Sequence, residues 1–174
     1  MPDYMDHEQG KVFLLEVADI LDRLSVPFFL MQGTALGAYR DKGFTPTERD
    51  IDIGILIENF RAGDICKALV DRNYAVETRD RHSPFCFAHT IVVYKGGIKA
   101  DLVGLHKWDG YRFTNTPDNP VEVLEPYCIV HIATLLENYQ RIELFGREFL
   151  IPSPIEDYLR PDFQEKDCRG GIIY

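Results

Sequence analysis

The sequence predicts an α/β (α+β) domain, a mixed β-sheet flanked by helices and extended at its C-terminal end by a β-meander and hairpin. Three patterns predict it. Residues 8–24 repeat apolar side chains at helical spacing, with Leu14, Val17, Ala18 and Leu21 on one face and Asp19, Asp22 and Arg23 opposite. Residues 50–57, "DIDIGILI", alternate strictly, with Ile51, Ile53, Ile55 and Ile57 on one side and Asp50, Asp52 and Gly54 on the other. "FCFAHTIVVY" (85–94) and "IKADLVGLH" (98–106) are two strand-like runs joined by Lys95-Gly96-Gly97, the pattern of a hairpin. A helix, then mixed strands and helices, then a meander is the order of an α/β or α+β domain.

The remaining elements follow in order. Pro27 closes the first helix, and "FFLMQ" (28–32) is a short apolar run that reads as a buried strand. "TALGAYRD" (34–41) reads as a short helix, and "KGFTPTER" (42–49) carries the Gly and Pro of a loop. Residues 60–72, with Phe60, Ile65, Ala68 and Leu69, suit a helix, and "YAVET" (74–78) a strand. "GYRFTN" (110–115) extends the meander, and residues 129–139 fit either a helix or a strand. "IELFGREFLIP" (142–152) reads as a second hairpin turning at Gly146-Arg147. "SPIEDYL" (153–159) then reads as a short helix with Ser153 as N-cap and Pro154 at its first position. Residues 1–174 are expected to form one domain, with a core at about 8–115 and an extension at about 120–174.

Composition narrows the function. With 28 acidic and 19 basic residues the net charge is -9, which disfavours nucleic acid and anionic membrane surfaces as partners. Apolar residues make up 45% of the chain, enough for a real core. Cys66, Cys86, Cys128 and Cys168 form no C-x-x-C pair, so they read as reduced thiols of a cytoplasmic protein rather than a zinc site or a disulfide framework. The N-terminal "MPDYMDHEQGK" is too polar for a signal peptide, and no run approaches the ~20 apolar residues of a membrane span. A small-molecule partner and a cation fit this balance, and an acidic surface is compatible with a homodimer.

The chemistry concentrates between Gln32 and Ile55. Asp50 and Asp52 share a strand face, and like charges so placed raise each other's cost of ionisation. A hard divalent cation removes that conflict, because carboxylate oxygens are its natural ligands. An isolated D-h-D is more often simply the pattern of a half-exposed strand, so the neighbours decide. Gly33-Thr34 falls between a predicted strand and a predicted helix, where backbone N–H groups and the Thr34 hydroxyl can receive a phosphate. Asp101 sits mid-strand between Ala100 and Leu102 and needs either a metal or a salt-bridge partner. Arg40 and Lys42 lie between the turn and the aspartates, as a phosphate-facing pair or a solvated surface. His89 and His106 fall on strands near Asp101, and Trp108 or Tyr111 could stack on a base or sugar.

The order of glycine turn, helix, basic loop, D-h-D strand, hairpin and third aspartate resembles the polymerase-β-type nucleotidyltransferase fold. "GTALGAYRDKGFTPTERDIDIGI" resembles more narrowly the signature of the LicD/fukutin-related family, G-T-x-L-G-x-x-R, then G-F-x-P, then D-I-D-I. Gly33, Thr34, Leu36, Gly37, Arg40, Gly43, Phe44, Pro46, Asp50 and Asp52 match it. "FLIPSPIEDYL" is similar to the family's closing proline-rich segment. Thr47, Glu48 and Arg49 stand where the family usually has tryptophan and two more acids.

The resemblance implies a Mg²⁺- or Mn²⁺-dependent transferase. It would move a phosphate-linked group from a nucleotide-activated donor, such as a CDP-linked compound, to the hydroxyl of a glycan or small molecule. Asp50, Asp52 and Asp101 would hold metal and do the chemistry, and Gly33, Thr34, Arg40 and Lys42 would bind the donor's phosphates. "ERDIDI" after a glycine turn also resembles the small lincosamide-type antibiotic nucleotidyltransferases, which use an NTP. A catalytically silent domain that binds a nucleotide or a protein partner is the reading from another class.

Overall fold

The computed structural model describes residues 4–83, 86–108, 111–113, 115–117, 130–132 and 138–163. Helix α1 (His7–Arg23) begins where the Asp6 carboxylate accepts the Gln9 N–H at 3.0 Å. Its apolar face buries Phe13, Leu14, Val17, Ala18, Ile20 and Leu21, each of the larger ones contributing roughly 1.5–3 kcal/mol of burial. A short strand β1 (Phe29–Leu30) leads into helix α2 (Gln32–Leu36), which widens into a π-helical turn over Gly37–Asp41. Strand β2 (Ile51–Leu56) follows the loop, then a 3₁₀ turn over Ile57–Asn59 and helix α3 (Ala62–Val70).

Strands β3 (Ala75–Ser83), β4 (Cys86–Lys95) and β5 (Ile98–Trp108) complete the main sheet, whose order is β1-β2-β5-β4-β3. All neighbours on this path are antiparallel except β2 and β5, which run parallel. The sheet is therefore mixed, as the sequence predicts. The β4–β5 turn needs both of its glycines, since Gly96 and Gly97 have φ of +60° and +82°. Beyond the central sheet, β6 (Tyr111–Phe113) pairs with β5, β7 (Asn115–Pro117) with β4, and β8 (Val130–Ile132) with β6.

A second hairpin, β9 (Tyr139–Leu144) and β10 (Arg147–Pro152), precedes helix α4 (Ile155–Phe163). Leu144, Phe149, Ile151, Ile155, Tyr158 and Leu159 from this C-terminal segment join the same buried cluster as α1, β2 and β5. Arg147 reaches back to α1, pairing with Asp19 at 2.7 Å and with Asp22. No described helix is long and apolar enough to cross a membrane.

Several expectations shift in detail. The strand expected over 28–32 shortens to Phe29–Leu30. Met31 N–H still bonds the Asp52 carbonyl, but Gln32 then turns the chain with φ of +49°. Both faces of β2 are buried, rather than one. Gly54 is small for a reason: a Cβ there would lie 2.4 Å from the Phe29 ring, its cross-strand neighbour. The second hairpin turns at Phe145-Gly146, both with positive φ, because a two-residue turn of that hand matches the strand twist. The last helix starts one residue later than expected, with the Pro154 carbonyl accepting the Tyr158 N–H at 3.1 Å, and runs on to Phe163. Within 129–139 the described residues are strand at Val130–Ile132 and from Tyr139 onward. Residues 133–137, Gly110, Cys128, Cys168 and the side chains of Cys86, His106, Trp108 and Tyr111 lie outside the described residues.

One polar latch ties α1 to the sheet. Glu16 Oε2 accepts from Tyr74 Oη at 2.6 Å and from Lys95 Nζ at 2.7 Å, and Lys95 lies 4.3 Å from the Tyr74 ring centroid. The Lys95 and Tyr74 hydrogen bonds hold the Glu16 carboxyl below its usual value of 4.5. Its stabilisation is therefore present above pH 4.5 and is lost as pH falls through the depressed value. Glu16→Gln is expected to cost under about 1 kcal/mol at pH 7, because the pair is half exposed. In urea unfolding, the difference from wild type should shrink on acidification below pH 4.5. A difference that stays constant down to pH 3 would mean the carboxylate charge plays no part.

Candidate functional site

The site is built where β2 and β5 lie side by side. Their parallel register sets Asp52 beside Asp101. The residues two positions earlier on each chain, Asp50 and Lys99, meet on the same face, because side chains repeat every second residue. Lys99 Nζ bridges the two strands, 2.7 Å from Asp50 Oδ2 and 2.8 Å from Asp101 Oδ2. Asp101 is thus held by a lysine through one oxygen. Its other oxygen, Oδ1, is buried and has no hydrogen-bond partner among the described residues.

Glu48 brings in a further carboxylate. One oxygen from each of Glu48, Asp50 and Asp52 lies within 4.8 Å of the other two. Glu48 is 7% exposed and Asp52 9%. Glu48 is held by Thr45, whose hydroxyl donates to Oε2 at 3.1 Å and whose carbonyl accepts the Glu48 N–H at 3.1 Å. Burial pushes the Asp52 carboxyl well above its usual range, and Asp50, Asp101 and Glu48 push it further, while Lys99 opposes them. Burial likewise raises Glu48, against the pull of its Thr45 hydrogen bond. Burial lowers the Lys99 ammonium, but Asp101 and Asp50 outweigh it and push the group up to about 12.

This donor set fits a hard divalent cation. It is all carboxylate oxygen, it converges, and its charge is under-compensated in a buried place. The orphaned Asp101 oxygen beside it points to the same deficit.

The glycine turn is locked to this cluster. Thr34, fully buried, accepts the Asp52 N–H on Oγ1 at 2.9 Å. A Cβ at Gly33 would stand 2.7 Å from Glu48 Oε1, so the missing side chain is what lets the Glu48 carboxylate sit against the turn. From the far end of the chain, Tyr158 Oη accepts the Gln32 N–H at 3.1 Å. Tyr158 is the tyrosine of the "FLIPSPIEDYL" segment, so that segment braces the turn.

The basic residues divide differently from their sequence order. Arg40 is exposed and bonds its neighbour Asp41 through two nitrogens at 2.7 Å, while Lys42 donates to the Tyr39 carbonyl at 2.9 Å. Arg49 faces outward, 6.0 Å from the Tyr4 ring centroid. Among the described residues, the cation that pairs with the aspartates is Lys99. Sequence reasoning missed both Lys99 and Glu48 as site residues. The signal was parity: Glu48, Asp50 and Asp52 are each two apart, as are Lys99 and Asp101.

Residues 25–121 match the family model of the LicD/FKTN/FKRP nucleotidyltransferase domain, more than half of the chain. The chain belongs to this family. Among curated relatives, ribitol-5-phosphate transferase FKTN of Homo sapiens is 39% identical over 64 residues, which is 37% of this chain and 14% of that protein. The Mus musculus protein of the same name is 41% identical over 54 residues, 31% of this chain and 12% of that one. The match to these relatives thus spans about one-seventh of their length or less. Among solved structures, a candidate nucleotidyltransferase (TM1012) from Thermotoga maritima superposes with a TM-score of 0.56 at 18% identity, covering 91% of this chain and 88% of that one. The LicD-family chain therefore has the nucleotidyltransferase fold, a mixed sheet flanked by helices, as the sequence predicts.

Thr34→Val, which keeps shape but removes the acceptor, would leave the Asp52 N–H buried and unpaired. The expected cost is about 1–3 kcal/mol in chemical denaturation, with Thr34→Ser recovering most of it. Equal loss in both variants would show that the methyl group, not the hydroxyl, matters.

Proposed function

We propose that this chain is a metal-dependent transferase of the LicD type. It moves a phosphate-linked group from a nucleotide-activated donor, such as a CDP-linked compound, to a hydroxyl of a glycan or small molecule. The observation that carries the reading is the convergence of Glu48, Asp50 and Asp52 beside the Gly33-Thr34 turn, in a chain of this family. Asp50 and Asp52, with Glu48, would hold Mg²⁺ or Mn²⁺. When bound, the ion supplies charge neutralisation for the donor's phosphates and polarises the reacting phosphorus.

The chain's own residues account for the rest of the proposal. Gly33 and Thr34, in the first turn of α2 and packed against Glu48 and Asp52, would cradle a phosphate of the donor. Arg40 and Lys42 stabilise charge on the donor's phosphates if Arg40 leaves its surface pairing with Asp41. Asp101 takes the proton of the acceptor hydroxyl. The acceptor oxygen bonds to the distal phosphorus, the bond from that phosphorus to the bridging oxygen breaks, and nucleoside monophosphate leaves with that oxygen.

The test is thermal stability with CTP, CDP-choline, CDP-ribitol, ATP and GTP, each with and without Mg²⁺. A donor at about 100 times its Kd is expected to raise Tm by roughly 5–10 °C. That shift should require Mg²⁺ and vanish in Asp50→Asn. Shifts with ATP or GTP alone would replace the CDP-linked donor with an NTP, and no shift with any of them would sink the reading. Asp52→Asn is expected to lower turnover on the order of 100-fold or more. Its metal-free Tm should be equal or higher, because a buried charge is removed; a clear fall in Tm with turnover intact would reverse the assignment.

A further inference from the structure

We propose that Lys99 is the site's resident counter-cation. It neutralises Asp50 and Asp101 while no divalent ion is bound, and it is displaced from Asp50 when one arrives. The inference rests on the metal site proposed above and goes beyond it by assigning the residue that competes with the metal.

Geometry sets the two cations in competition. Asp50 belongs to the converging group with Glu48 and Asp52, and its carboxylate is also the one that Lys99 Nζ approaches, 2.7 Å from Oδ2. An ion taken up by that group would meet the ammonium at the same carboxylate. Two positive charges sharing one carboxylate repel, and the divalent ion is the stronger claimant on hard oxygen. Lys99 is able to give way: its side chain is 30% exposed, and its four-carbon stem lets the head swing while the stem stays packed on the sheet. Asp101, whose Oδ2 is 2.8 Å away, keeps the ammonium when Asp50 lets it go.

The need for such a residue is visible in the charge balance. Glu48, Asp50, Asp52 and Asp101 crowd one patch, and among the described residues Lys99 is the cation within hydrogen-bond distance of two of them. Without it, Asp50 and Asp101 would lose the ammonium that pairs them while no metal is bound. With it, the fold stands before metal arrives, at the expense of metal affinity.

The experiment compares wild type, Lys99→Met and Lys99→Arg for Mn²⁺ affinity, read by paramagnetic resonance of free Mn²⁺, and for metal-free Tm. Lys99→Met should bind Mn²⁺ about tenfold more tightly, from the repulsion removed, while its metal-free Tm falls. Lys99→Arg, which keeps the charge, should resemble wild type in both. A merely structural lysine would lower Tm without tightening metal binding, so unchanged affinity in Lys99→Met overturns the proposal while leaving the metal site standing. Mn²⁺ binding by neither wild type nor Lys99→Met overturns the metal site and this inference together.

Should Lys99→Met fail to fold without metal, the wild type still decides. Acetylation of Lys99, followed by mass spectrometry, should run several-fold faster with Mn²⁺ than with a chelator. Equal rates overturn the displacement.

Discussion

The parallel pairing of β2 with β5, in a register that sets Asp52 beside Asp101, is the constraint on which the rest of this structure depends. Two acids on neighbouring strands, one of them almost fully buried, repel each other where water cannot screen them. Packing does not relieve that conflict. It requires cations, and the fold provides one in Lys99, from the strand that also carries Asp101. The remaining charge deficit, from Glu48 and Asp52, leaves a converging all-carboxylate group whose oxygens suit a hard metal ion.

Around this pair the fold spends several distant segments on rigidity. Thr34 fixes the backbone of Asp52, Thr45 fixes the Glu48 carboxylate, and Tyr158 fixes the entrance to the glycine turn from more than a hundred residues away in sequence. Each of these contacts is a hydrogen bond to a buried or half-buried group, so each one left unmade would cost more than it contributes when made. This explains why the C-terminal helix belongs to the description of the site although it supplies no carboxylate. A site must be held to within a fraction of an ångström to be useful, and the supporting contacts do that.

The arrangement also carries an electrostatic cost to stability. Buried like charges are a cost that a chain selected for folding alone would remove. They persist beside a turn whose glycine leaves room for one of them, in a chain with the nucleotidyltransferase fold. Unfavourable electrostatics concentrated on the adjacent central strands β2 and β5, with a well-packed apolar cluster elsewhere, is the usual partition between a candidate functional site and its scaffold.

Much of this was legible in the chain. The helical repeat of α1, the alternation of β2 and the Gly-Gly turn between β4 and β5 are local patterns. Periodicity and positive φ act within a few residues, so sequence suffices to read them. Asp50, Asp52 and Asp101 stood out because acids on strands require an explanation. The sequence could not say which groups face them. Arg40 and Lys42 are near in number, yet their hydrogen bonds go to Asp41 and the Tyr39 carbonyl, whereas Lys99 is 49 residues from Asp50 and touches it. Nor could it show that Arg49 turns outward while Glu48 turns in, or that the Tyr158 hydroxyl closes on Gln32. Local patterns were enough to read most of the elements, to within their ends, and the acids they carry. The partners of those acids came from the fold, because strand order, which brings β5 rather than the intervening loop against β2, is set by global packing and not by any local signal.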